Sequence, residues 1–291
     1  MTLAVQISPE AQARGGCPMC AHGESRTIYV EGASTLQRCR RCKFMYVMPR
    51  PTPEELKRMY SDEYFTGDNM EDATLQFREP VFQQCIARLQ RIRPERGMLL
   101  DVGCWTGDFL TFARAAGWEA VGIELSTKAA AFASSKALPV HCSTLETAPF
   151  PLDYFDVVTF LDVLEHLPEP TRELVRARSL LKPGGIIVVR LPNTNFHLPK
   201  ARLCRALKVA DMGLHMHYHL NHFTPGTLAG MLTNSGFEVL RVDVGAPEHI
   251  AYAQWASPWA KRSYVRTASM VKVTTGIHIG NIMVAYARKL P

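Results

Sequence analysis

Short apolar runs alternate with helical stretches through the middle of the chain. Runs suited to buried strands fall at Met98–Gly103, Ala120–Glu124, Leu138–Cys142, Phe155–Leu161 and Ile186–Leu191. Between them, helical spacing of apolar positions covers about 107–116, 127–137 and 169–181. Strand, helix, strand in regular order predicts a parallel sheet with helices on both faces, because parallel neighbours need long crossover connections. Further along, Thr224-Pro225 opens a predicted helix to about Ser235, with Thr224 as its cap. Phe237–Val244 and Asn281–Ala287 read as two more strands. The expected fold is α/β: a doubly wound, seven-stranded, mostly parallel sheet.

The regions outside this alternation divide the chain. Residues 1–16 read as a loose tail, and 17–50 are rich in Cys, Arg and Gly without long apolar periodicity. Pro49, Pro51 and Pro53 stiffen a linker after them. Helical character follows over 54–95, with Pro80 expected near the start of a helix ending about Ile92. The predicted divisions are therefore a cysteine-rich segment and linker (1–53), helices leading into the main domain (54–97), and the main domain (98–291). Two inserts interrupt that domain, 193–223 and 245–279. The second is too long for a simple hairpin and is expected to carry structure of its own.

Hydrophobic residues make up 47% of the 291 and charged residues 21%, enough apolar material to exclude a disordered or fibrous chain. No apolar run approaches the roughly 20 residues of a membrane span, and Met1–Gly16 holds no signal-like apolar block. A cytoplasmic location is expected. The 33 Lys and Arg against 27 Asp and Glu give a net charge of +6, compatible with an anionic small molecule, a nucleic acid or an anionic membrane surface.

Cys17-Pro-Met-Cys20 and Cys39-Arg-Arg-Cys42 form two CxxC pairs separated by eighteen residues. Two such turns supply four thiolates to one tetrahedral Zn²⁺. A closed four-sulfur shell leaves no position for water, so Cys17, Cys20, Cys39 and Cys42 are read as ligands of a structural zinc whose binding folds a segment too small to build its own core. Cys85, Cys104, Cys142 and Cys204 are scattered and read as small apolar side chains.

Leu99-Leu100-Asp101-Val102-Gly103-Cys104-Trp105-Thr106-Gly107-Asp108 reads as strand, turn and helix start. Glycines let the backbone approach a ligand, and the following helix end offers free N–H groups. Glu124 closes the second strand, where a carboxylate is placed to accept hydrogen bonds from a ribose diol. From Met98 to Arg190 the chain resembles class I S-adenosylmethionine-dependent methyltransferases. Leu100–Gly107 resembles their first motif, and Glu124 their ribose-binding acid. Phe155-Asp156-Val157-Val158 with Asp162-Val163-Leu164-Glu165-His166-Leu167 resembles their fourth-strand region, and Leu181-Lys182-Pro183-Gly184-Gly185 the turn before the fifth strand. Trp105 stands where the family most often has glycine, and its ring would narrow or redirect the pocket. The resemblance implies S-adenosyl-L-methionine as cofactor, with Asp101 near its aminoacyl end, Gly103 and Gly107 shaping the turn, Glu124 on the ribose, and Ser143, Thr144 and Leu145 edging the adenine. Asp162 would meet the cofactor's ammonium or orient the acceptor; capping of the following helix is its alternative. Cys39–Val47, Pro49-Arg50-Pro51 and Tyr60–Phe65 resemble a bacterial subgroup that joins a zinc knuckle to this fold, several members of which serve routes to surface polysaccharides and modified sugars.

Methyl transfer to a hydroxyl also needs a base. His215, His217, His219 and His222 crowd eight positions, and alternation would put the first three on one strand face. A second metal, a lid over the acceptor carrying one histidine as base, and plain packing remain open for this run, which contains no carboxylate or cysteine of its own. His219 and His222 are the preferred candidates, since His219-Leu-Asn-His222-Phe-Thr before a helix resembles a recurring family feature. His166, expected at a helix start, and Asp162 complete the candidate catalytic set. After Phe160 there is neither an Asn-Pro-Pro-Tyr nor an Asp-Pro-Pro-Tyr run, nor a Pro-Cys or Thr-Cys nucleophile, which argues against amine methylation of bases and against pyrimidine C5 methylation.

Three functions follow. The first is O-methylation of a small-molecule acceptor such as a sugar, a glycolipid intermediate or a related metabolite. The second is RNA methylation, with Arg38, Arg40, Arg41 and Lys43 on the second knuckle gripping phosphates. The third is a non-catalytic cofactor-binding module, for which Trp105 is the argument. The basic stretch Lys200–Lys208 would lie on a membrane surface in peripheral contact, or form a helix covering the active site.

Overall fold

The computed structural model describes residues 16–52, 54–56, 73–208, 213–246, 258–276 and 278–290. The tail 1–15 and the Tyr60–Phe65 stretch lie outside the described residues. Two sheets organise the rest. The larger has seven strands: β4 (Met98–Val102), β5 (Glu119–Glu124), β6 (Val140–Cys142), β7 (Phe155–Leu161), β8 (Leu181–Pro192), β10 (Phe237–Val244) and β11 (Ile282–Lys289). Their order is β10-β11-β8-β7-β4-β5-β6. β4, β5, β6, β7 and β8 pair in parallel, whereas β11 runs antiparallel to both β8 and β10. The order reverses at β4, which leaves a crevice at the strands' carboxyl ends.

Central strands are buried on both faces and read as unbroken apolar runs. Every residue of β7, Phe155 to Leu161, is buried. Helices α2 (Asp108–Ala115), α3 (Thr127–Ser135) and α4 (Pro170–Leu180) supply the parallel crossovers. α3 begins where the Ser126 hydroxyl accepts the Ala129 N–H. Helix α6 (Pro225–Asn234) carries the predicted cap: the Thr224 and Thr227 side chains and backbones bond reciprocally.

The second sheet comes mostly from the cysteine-rich segment. β1 (Ser25–Glu31), β2 (Ser34–Cys39) and β3 (Met45–Met48) form an antiparallel meander, although these residues lack long apolar periodicity. Its fourth member is β9 (Asn221–His222), from the other half of the chain. Leu36, Met45 and Val47 of this sheet pack with Leu198, Ala201, Leu214 and Met216.

Several expectations need correction. Helix α1 runs Ala73–Ile92, so Pro80 lies inside it rather than at its start. β6 begins at Val140, two residues later than the apolar run suggested. His215, His217 and His219 do not share a strand: residues 213–219 make turns, with His215 at φ +54°. His166 lies in a turn ahead of α4, which starts only at Pro170. Residues 200–207 belong to helix α5 (Thr194–Leu207), which packs on the small sheet instead of covering a site. Arg202 and Arg205 donate to the carbonyls of Ile28 and Val30 on β1. The insert before β11 contains helix α7 (Pro258–Thr275). No helix among the described residues is long and apolar enough to cross a membrane.

Candidate active site

The crevice at the end of β4 is built from backbone turns before any side chain enters it. Gly103 and Gly107 have φ of +69° and +77°, and Trp105 between them takes +50°. A Cβ on Gly103 would lie 2.8 Å from Val163 Cγ2, and one on Gly107 2.4 Å from Leu138 Cδ1, so either would have to displace a side-chain end in addition to straining a left-handed backbone that favours glycine. Trp105 adopts a glycine-like conformation at a cost of about 1 kcal/mol. The Glu124 carboxylate holds it there: Oε2 accepts the Trp105 N–H at 3.0 Å, and Oε1 accepts the Ser126 N–H at 2.9 Å. A carboxylate has about four lone-pair sites. These two backbone groups take one lone pair on each oxygen, and Glu124 also lines the adjoining cavity.

These turns wall a cavity of about 380 Å³. Gly103, Trp105 and Glu124 line one side, and Ser143, Thr144 and Leu145, from the loop after β6, line another. Asp162, Val163 and His166, from the turn after β7, close a third. Arg78 of α1, Glu173 of α4 and Tyr218 also reach the cavity. None of these last three was singled out from the sequence. Arg78 sits on a helix whose pattern carries no mark of a site, and only the packing of α1 over the sheet brings it in.

Asp101 lies at the inner end of the turn, beside Gly103 and Trp105. It is buried, borders a small adjoining void with them, and accepts the Thr159 hydroxyl at 2.6 Å. Burial pushes its carboxyl up to about 7, against the lowering pull of the Thr159 hydrogen bond and Arg78. Gly107 forms the wall of the turn as the N-cap of α2 and does not face the cavity. Asp162 caps no helix. It takes a left-handed conformation, φ +62°, and its Oδ2 accepts from Arg78 at 2.5 Å and from the buried Arg190.

The candidate bases separate in space. His166 lines the cavity, and its Nδ1–H donates to the Tyr218 carbonyl at 3.0 Å. His219 stands behind it, with ring centroids 4.9 Å apart. His222 is buried in β9, away from the cavity walls. Burial lowers all three imidazoles, His222 to about 4 and His219 to about 2; neighbouring imidazoles add to the effect at His219 and His222, while the Tyr218 carbonyl and Asp162 oppose it at His166. His219 and His222 are therefore neutral near pH 7. Glu165, which carries no candidate role from the sequence, is buried beside His166 and His219; burial and then Asp162 push its carboxyl well up.

The four knuckle cysteines converge, with their Sγ atoms all within 4.8 Å of one another. Cys17 and Cys42 are 3.5 Å apart, and Cys20 and Cys39 3.7 Å. Tetrahedral sulfurs about 2.3 Å from one zinc stand about 3.8 Å apart, so the donor set fits such an ion.

Comparison with known proteins agrees with this geometry. A family model described as a methyltransferase domain matches residues 77–242, more than half of the chain. A ubiquinone biosynthesis O-methyltransferase from Aromatoleum aromaticum is 30% identical over 181 residues, covering 57% of this chain and 76% of that protein. Among solved structures, the Burkholderia thailandensis 1,6-didemethyltoxoflavin-N1-methyltransferase, with bound 1,6-didemethyltoxoflavin and S-adenosylhomocysteine, superposes with a TM-score of 0.55. It is 15% identical and covers 91% of this chain and 100% of its own. A Thermotoga maritima S-adenosylmethionine-dependent methyltransferase superposes at 0.53, with 19% identity, covering 80% of this chain and 99% of that one.

Proposed function

We propose that this chain, which belongs to the methyltransferase-domain family, moves a methyl group from S-adenosylmethionine to a hydroxyl oxygen of a small molecule. The observation that carries the reading is the cavity itself: a glycine-bounded turn pinned by Glu124 on one side, and the Asp162–His166 turn on the other. Bound there, S-adenosylmethionine supplies a methyl group already activated as a sulfonium. Glu124 would hold the ribose hydroxyls, Ser143 to Leu145 would edge the adenine, and Gly103 and Trp105 would offer backbone to the amino-acid end. Asp162, fixed by two guanidiniums, would meet the ammonium or orient the acceptor. Val163 and Leu167, which line the cavity, would exclude water from the acceptor's approach. The acceptor hydroxyl would lie against His166, with Glu165 and His219 behind it, and its proton would leave toward that cluster.

Oxygen as the acceptor atom is supported by the name of the Aromatoleum relative. Within small molecules we assign a sugar, a glycolipid intermediate or a related metabolite, on the resemblance of the knuckle segment; hydroxylated intermediates of ubiquinone biosynthesis are the competing class. Cys17, Cys20, Cys39 and Cys42 would hold a structural zinc that folds the small sheet. Thiols kept reduced for that purpose fit a cytoplasmic setting. The test is mass spectrometry of candidate acceptors incubated with the chain and methyl-labelled S-adenosylmethionine, alongside calorimetry with S-adenosylhomocysteine. Labelled methyl on an acceptor oxygen is expected. Absence of any S-adenosylhomocysteine binding would overturn the reading.

A further inference from the structure

We propose that Glu165, His166 and His219 form a second metal site, separate from the four thiolates, which takes a divalent transition-metal ion at the acceptor end of the cavity. Each residue offers one ligand atom, a carboxylate oxygen or an imidazole nitrogen, and the three atoms lie within 4.8 Å of one another. Ligands held at about 2.1 Å around one ion stand roughly 3–4 Å apart, so a small side-chain adjustment closes the set. The histidine run supplies no acid of its own; the fold brings Glu165 to it from the turn after β7.

Two independent features point to a ligand. Glu165 is 2% exposed, and its Oε2 has no hydrogen-bond partner among the described residues. A buried carboxylate in that state is costly unless a proton or a cation meets it. The two guanidiniums whose charge acts on it, Arg190 and Arg78, both pair with Asp162. The second feature is the imidazole of His166. Its Nδ1–H donates to the Tyr218 carbonyl, which places the ring's lone pair on Nε2, the arrangement in which metal-bound histidines are held by an outer partner. The turn that carries both residues is fixed in turn, since the Asn221 N–H donates to the Glu165 carbonyl at 2.9 Å.

The chemistry of the set narrows the ion. Two imidazoles and one carboxylate suit zinc, cobalt, iron or manganese better than calcium or magnesium. Three protein ligands leave coordination positions open, as catalytic sites do, and His166 faces the cavity. On the methyl-transfer reading, which this role rests on, the ion would take the acceptor hydroxyl and lower its pKa. With the ion bound, Glu165, His166 and His219 are ligands and no longer the proton acceptor, so the hydroxyl proton would pass to water. The oxygen's lone pair would then form the new bond to the methyl carbon, while the sulfur keeps the electrons of the broken S–CH₃ bond and becomes a neutral thioether.

The test uses the full chain, treated with a mild chelator that leaves thiolate-bound zinc in place, and then titrated with Co²⁺. One Co²⁺ per chain is expected, with visible ligand-field bands and without the intense near-ultraviolet absorption of cobalt on thiolate. Cobalt-edge X-ray absorption of the unmutated protein should show nitrogen and oxygen neighbours and no sulfur. Glu165→Gln and His219→Ala should each weaken Co²⁺ binding at least tenfold while circular dichroism and S-adenosylhomocysteine affinity stay as before. Failure of the unmutated chain to take Co²⁺ outside the thiolates, or undiminished binding in both variants, would overturn the site. Co²⁺ binding without S-adenosylhomocysteine binding would instead keep the site and remove the methyl-transfer reading.

Discussion

Glu124→Ala tests the ligand-binding role proposed for that carboxylate. The side chain accepts the Trp105 and Ser126 N–H groups at 3.0 and 2.9 Å and still faces the cavity. Hydrogen bonds to a charged group contribute about 1.5–3 kcal/mol each, and water restores part of what a truncation removes. The expected loss of S-adenosylhomocysteine affinity is therefore at least tenfold, about 1.4 kcal/mol. Calorimetry reads it directly. Thermal unfolding reads it independently: at a ligand concentration about 100 times the unmutated Kd, the ligand stabilises by about 2.7 kcal/mol, and a tenfold weaker site halves that to about 1.4 kcal/mol. Glu124→Gln should fall between, because its amide oxygen can satisfy one backbone N–H while its NH₂ group opposes the other. A Kd within about twofold of the original, in a variant with unchanged circular dichroism, would remove Glu124 from the ligand site.

Cys39→Ser should strip the metal from the knuckles and expose the β1–β3 amides to rapid hydrogen exchange, with metal analysis and exchange mass spectrometry as the paired readouts. Asp101 holds its proton more tightly folded than unfolded, up to about 7 against an ordinary 3.8, so its stabilising contribution is complete below pH 3.8 and lost as pH rises to 7. The buried His219 and His222 act oppositely, losing their contribution as pH falls below 6.5. Urea unfolding of the ligand-free protein should therefore show the original chain losing stability relative to Asp101→Asn between pH 4 and 7; a flat difference would contradict the buried carboxyl. Gly107→Ala should destabilise by at least about 1–2 kcal/mol in urea unfolding, from its left-handed backbone and the 2.4 Å contact with Leu138.

Much of the large sheet is legible because each central strand is an apolar run and each crossover has helical spacing. Phe155–Leu161 is a strand with those bounds in both readings. The small sheet is not legible, because its strands are short and β9 pairs with β3 across more than 170 residues. At the site, Gly103, Glu124 and Ser143 to Leu145 follow from strand ends, where the topology itself makes the crevice. Arg78, Glu173 and Tyr218 carry no signal in the sequence, and Glu165 appears there only as part of a motif, without a role. Their part depends on which turns face one another, and no local periodicity records that. The histidine run misleads for the same reason: alternation suggests a strand, whereas the Leu214 and Met216 N–H groups are held by the Glu31 carboxylate of β1, which shapes the segment as turns.

The pairing of Asn221–His222 with Met45–Tyr46 makes the knuckle segment a poor candidate for free exchange among relatives. Arg50 strengthens the seam by donating to the carbonyls of Pro168 and Leu220. A chimera that replaced residues 16–52 while keeping the rest would strand an edge of backbone and loosen the wall on which Tyr218 and His219 stand. On the proposed reading, the knuckle segment and the 213–222 stretch shape the acceptor's side of the cavity jointly, and swaps that respect only the boundary of the large sheet should yield proteins that fold yet have forgotten their substrate.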